Sequence, residues 1–67
     1  MNRIREYRKS KHLSQVQLGI LARIPNSMIS DFELGKRHVW PRARKALADV
    51  LDIPEAELFP NGQREVE

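Results

Sequence analysis

Residues 13–35 read LSQVQLGILARIPNSMISDFELG, and that stretch spells two short helices with a sharp break between them. Ser14 stands as an N-cap before Gln15, because its hydroxyl can accept a bond from one of the orphan N–H groups of the next turn. Leu18 and Ala22, four apart, give the helix over 15–22 one buried stripe. Ile24-Pro25-Asn26 must end it, since proline restricts the residue before it to extended backbone and cannot continue an established helix. Ile29 and Phe32 then recur at helical spacing until Gly35, the residue best suited to the left-handed conformation that closes a helix. The spacing predicts a second helix over 26–34. Two helices joined in this way form a helix-turn-helix.

Working outward, Ile4, Tyr7 and the aliphatic stem of Lys11 give a helix over roughly 2–11 on the N-terminal side. On the other side Pro41 suits a first-turn position. It opens a fourth helix whose Ala43, Ala46, Leu47, Val50 and Leu51 fill an i, i+3, i+4, i+7, i+8 stripe. Pro54 starts a last short turn with Glu55 and Glu57 near its positive end, and Leu58 and Phe59 fold back as a lid on the core. No alternating strand pattern and no internal repeat is present. The expected architecture is all-α and five-helix, with one domain over 1–59 and a loose tail over 60–67.

Composition narrows the function. The chain has 67 residues, 40% of them hydrophobic and 31% charged, which is too apolar for disorder. It contains no cysteine, so a disulfide framework, a thiolate zinc site and a cysteine nucleophile are excluded, and the cytosol is the expected compartment. Its longest apolar run, Leu18–Ala22, is far short of the roughly 20 residues that span a bilayer. The net charge of +3 understates the polarity of the chain. Arg3, Arg5, Arg8, Lys9 and Lys11 form one basic block, and Lys36, Arg37, Arg42, Arg44 and Lys45 a second. The acidic residues gather at the C-terminal end. A solvated charged surface would account for such blocks, and so would one surface meant for a polyanion.

Leu13-Ser14-Gln15, Leu18-Gly19, Ile29-Ser30, Glu33 and Gly35-Lys36-Arg37, followed by Leu47-Ala48, Leu51 and Glu57-Leu58-Phe59, resemble the lambda repressor and Cro type of helix-turn-helix family, also called XRE. The resemblance runs from Arg3 to Phe59. It implies five helices packed as a lambda-repressor-like DNA-binding domain, the third lying in the major groove, and a transcriptional regulator, expected to be a repressor, in the cytoplasm and on the nucleoid. It also implies that Arg8 and Glu33 form a largely buried structural bridge. Four positions depart from the pattern. Arg23 replaces the glycine that usually begins the central turn, and Gly19 stands where alanine is commoner. Pro25 occupies the place of a serine or threonine cap, and Asp52 replaces a helix-ending glycine.

Within that frame, the residues near the start of the 26–34 helix are the candidates for reading bases. Asn26 and Ser27 are short and polar and can reach base edges, Asn26 suiting adenine. Ser30 and Asp31 share the outward face, and an aspartate can accept from cytosine N4. Met28 fits either a thymine-methyl contact or packing at the rim. Phosphate contacts are expected from Gln15 at the positive start of its helix, and from Lys36, Arg37 and Arg42. Arg3 and Arg5 fit a phosphate contact and a plain surface charge equally. Val39 and Trp40 read as a small packing cluster, with stacking on DNA as the alternative for Trp40.

Catalysis has little to work with. His12 and His38 have no metal-ligand spacing, and no phosphate loop or nucleophile elbow is present, so neither an enzyme nor a metal or other cofactor is expected. The alternative is a protein-interaction module on the same fold, an antitoxin or co-regulator acting through an apolar face at Val16 and Ile20. The side chains of the first helix would cover that pair equally well. The partners expected are double-stranded DNA, a second copy bound on a half-site about 34 Å away, and a protein partner if that apolar face is open. The dimer contact is expected near Leu51–Phe59, away from the basic blocks. So short a chain leaves no room for a separate sensing domain.

Overall fold

The structure, a computed structural model, describes residues 2–60, and the expected tail beyond Pro60 lies outside the described residues. Five helices follow in order: α1 (Ile4–Ser10), α2 (Gln15–Ala22), α3 (Asn26–Leu34), α4 (Pro41–Leu51) and α5 (Glu55–Leu58). Among the described residues there is no strand. Helices α2 and α3 pack on one another, α4 lies against α2 and α5, and α1 closes the bundle across α3 and α4. The all-α, five-helix architecture is the one expected.

The core follows from the apolar spacing. Ile4, Leu18, Ile29, Phe32, Leu47, Leu51 and Leu58 are fully buried, and Phe59 completes the lid. Leu51, Leu58 and Phe59 are therefore spent inside the protein. A dimer contact at that end is left with half-buried Ile53 and exposed Pro54, Ala56 and carboxylates, a poorer surface than the sequence suggested.

Two local expectations are corrected, and one alternative left open is decided. Helix α1 is shorter than 2–11, because Arg3 is not helical and the Asn2 side-chain oxygen accepts the Ile4 N–H at 3.1 Å, while His12 turns left-handed (φ 59°) at the other end. The buried arc of α4 is Ala43, Arg44, Leu47, Ala48 and Leu51, rotated from the expected stripe, so Ala46 and Val50 lie at its edge. Arg44 is thus withdrawn from the second basic block. Its Nη1 donates to the Val39 carbonyl at 2.9 Å, and its Nε is 3.8 Å from Glu55 Oε1. Finally, Val16 and Ile20 are not covered by α1: they stand 52% and 71% exposed, beside exposed Leu21.

Four helices close by one device. After α1, α2, α3 and α4 the chain turns left-handed at His12, Arg23, Gly35 and Asp52, and the following N–H returns to a carbonyl five residues back. Ile24 N–H, for example, reaches Gly19 O at 2.8 Å, and Ile53 N–H reaches Ala48 O at 3.1 Å. This arrangement satisfies carbonyls that a helix end leaves open. Glycine occupies just one of the four positions. Gly19 is explained by the same closure: a Cβ there would lie 2.5 Å from the Ile24 carbonyl oxygen, a backbone atom with little freedom to retreat.

Opposite outcomes are expected at these two kinds of position. Gly19→Ala should lose about 1–3 kcal/mol, because the crowding against Ile24 outweighs the better helix propensity of alanine. Asp52→Gly should gain about 0.5–1 kcal/mol, since a left-handed turn costs a glycine less even after its larger unfolded-state entropy is counted. Urea denaturation of both variants checks the signs.

Candidate nucleic-acid interface

The outer surface of α3 follows from its inner one. Ile29 and Phe32 point into the core, which leaves Asn26 and Ser27 exposed and Met28, Ser30 and Asp31 half-buried along the outward side. Met28 packs against the rim of the core. Pro25 precedes the helix with no side-chain cap, so the cap that serine or threonine would supply is missing. At the other end Gly35 (φ 74°) closes the helix and Lys36 N–H returns to Asp31 O at 2.9 Å. Trp40 lies edge-on to Phe32, ring centroids 5.5 Å apart, and this contact ties the 35–40 link to α3.

The cations flank this helix unevenly. Lys36, Arg37 and Arg42 are exposed beyond its C-terminal end, and Arg23 is exposed just before its N-terminal end. Arg37 Nε lies 3.6 Å from Asp31 Oδ2, so two of the residues singled out in the sequence face one another across the end of the helix. Both are partly exposed, and such a pair contributes little to stability.

What orients α3 is buried beneath it. Arg8 Nε donates to Glu33 Oε2 at 2.6 Å, and Arg8 Nη2 to Glu33 Oε1 at 3.2 Å. Arg8 Nη1 reaches the Leu13 carbonyl at 2.8 Å, and Gln15 Nε2 donates to Glu33 Oε1 at 3.1 Å. The side chain of Gln15 is therefore engaged inside the protein, which sequence spacing gave no means of seeing. Ser14 caps α2 reciprocally with Gln17: the hydroxyl accepts the Gln17 N–H at 3.0 Å, and the Gln17 amide oxygen accepts the Ser14 N–H at 2.8 Å. On the surface of α1, Arg3 pairs with Glu6, and the hydrogen bond from Arg3 holds the Glu6 carboxyl below the usual carboxylate range.

A short capped helix, a tight left-handed turn and a second helix with a polar outer face and cations at both ends define a DNA-binding helix-turn-helix. The helix-turn-helix family model matches residues 4–58, and the chain belongs to that family, in its lambda repressor and Cro type. It is accordingly a DNA-binding regulatory protein, from a family that is generally non-enzymatic. No curated protein matches the sequence. Among the described residues no group of histidines and carboxylates could hold a metal ion, and no helix is long and apolar enough to cross a membrane.

The buried and exposed ion pairs should separate cleanly. Glu33→Ala leaves the Arg8 guanidinium stranded and should cost about 3–5 kcal/mol. Glu6→Ala, at an exposed i, i+3 pair, should fall within about 0.5 kcal/mol of the parent. Chemical denaturation of the two variants gives the comparison.

Proposed function

We propose that this protein is a sequence-specific double-stranded DNA-binding transcriptional regulator that represses by occupying its site, with α3 in the major groove. The observation that carries this reading is the pair of exposed polar residues, Asn26 and Ser27, that opens the outer face of α3, above a buried Arg8–Glu33 bridge that holds the helix's orientation. Asn26, Ser27, Met28, Ser30 and Asp31 contact bases. Met28 does so from the rim, its exposed part suiting a thymine methyl. Asp31 must exchange its pairing with Arg37 for a cytosine N4 donor, which frees Arg37 for the phosphate backbone. Lys36 and Arg42 take phosphates beside it. Gln15 contributes its place at the start of α2 rather than its side chain.

One small domain makes few base contacts, so two copies bind half-sites about 34 Å apart. A second reading has one specific observation in its favour. The 71% exposure of Ile20, beside Val16 and Leu21, leaves an apolar face that a protein partner would cover, as in an antitoxin or co-regulator.

Selection from a random duplex pool decides between the readings. A two-fold symmetric sequence should be enriched, and Asn26→Ala and Ser27→Ala should change the preferred bases with little loss of stability. Lys36→Ala/Arg37→Ala should weaken binding to all sequences alike and lower the salt slope by about 0.9 per lost phosphate contact. A chain that enriches no sequence would move the function to the apolar face.

A further inference from the structure

Arg23 is an anomaly in two respects. It adopts a left-handed conformation (φ 61°) at the position where the resembling family usually has glycine, a conformation that costs roughly 1–2 kcal/mol for a residue with a Cβ. Nothing inside the described protein offsets that cost through its guanidinium, which is exposed and makes no hydrogen bond or ion pair with any described residue. The turn itself is closed by backbone groups, Arg23 N–H to Ile20 O and Ile24 N–H to Gly19 O, and glycine would close it equally well. The side chain is therefore not needed for the fold.

Its position suggests what it is for. Arg23 lies three residues before Asn26 and shares the wall of one shallow depression with Val16, Gly19, Ile20, Ile24, Pro25 and Asn26. That surface carries no carboxylate. At the far end of α3, Lys36, Arg37 and Arg42 supply the positive charge, and Asp31 tempers it. A recognition helix lies in the major groove with its N-terminal turn toward the base edges, so a cation immediately before that turn comes close to the backbone phosphates beside them. Arg23 is thus the candidate cation at the N-terminal end of α3, while Lys36, Arg37 and Arg42 follow its C-terminal end.

We infer that Arg23 is a further positioning residue for DNA binding: its guanidinium takes a backbone phosphate beside the N-terminal end of α3, the end away from Lys36, Arg37 and Arg42. The inference rests on the proposed reading of α3. Arginine suits the task because its planar fork meets phosphate oxygens two at a time. It adds no base preference of its own, since phosphate contacts fix register without reading sequence.

Binding of the full chain to the selected duplex and to an unrelated duplex, measured over 50–200 mM salt, tests it with three variants. Arg23→Gly removes the charge and relaxes the turn, Arg23→Ala removes the charge and keeps the turn strained, and Arg23→Lys keeps both. The glycine and alanine variants should lower the salt slope by about 0.9 per subunit, so that their affinity deficit narrows about three- to fourfold per subunit across that range. The lysine variant should keep the parent slope. The Tm of Arg23→Gly should equal or exceed the parent's, so that weakened binding cannot be charged to unfolding. An unchanged slope in Arg23→Gly overturns the inference, and so does a changed base preference, which would make Arg23 a reader. A parent that binds duplex DNA with no salt dependence overturns the reading of α3 itself.

Discussion

Glu33 is where the three helices that build the interface are joined. A carboxylate withdrawn from water is tolerable only if its oxygens are satisfied, and here the partners come from outside its own helix. Arg8 brings a two-pronged bond from α1, and Gln15 adds a third bond from the first turn of α2. The remaining prong of Arg8 holds the Leu13 carbonyl, so the link between α1 and α2 is fastened by the same guanidinium. Because the fork is planar and its bonds are directional, rolling α3 by even one residue would break all of them. The outward direction of Asn26 and Ser27 is in that sense dictated from the opposite side of their helix.

The helix ends add a second constraint, made of backbone. Four closures of one geometry set the angles between successive helices, and in three of them the residue that follows the left-handed position is Leu13, Ile24 or Ile53. Each of these is drawn at least partly into the protein. An apolar residue there anchors the exit of the chain as effectively as glycine eases the turn. This is why the domain tolerates His12, Arg23 and Asp52 where glycine would be freer. Sequence and packing thus share the work of ending a helix.

That sharing also marks how far the sequence could be read. The extents of α2 and α3 were plain, because Ser14, Pro25 and Gly35 punctuate the apolar positions so sharply. The family resemblance named the Arg8–Glu33 pair. The capture of Gln15 and the burial of Arg44 were not legible, since each depends on a partner from another helix or from the link before α4: Glu33 in one case, the Val39 carbonyl and Glu55 in the other. Arg44 shows the difficulty well. In the chain it belongs to a run of cations, and only the true register of α4, with Ala43, Leu47 and Ala48 inward, carries it inside. The opening of Val16 and Ile20 was undecided for the same reason, because whether α1 reaches them is a question of helix packing rather than of spacing.

Arg3 N–H donates to the Leu58 carbonyl at 2.9 Å, so the two ends of the described chain meet at one pole of the molecule. A peptide bridge of a few residues between Asn2 and Pro60 would turn the domain into a ring without bending any helix. Closing a loop of this size takes roughly 3–4 kcal/mol of freedom from the unfolded chain and next to nothing from the folded one. A bundle this small has little core to draw on, and such a ring would gain a fraction of its stability from topology alone.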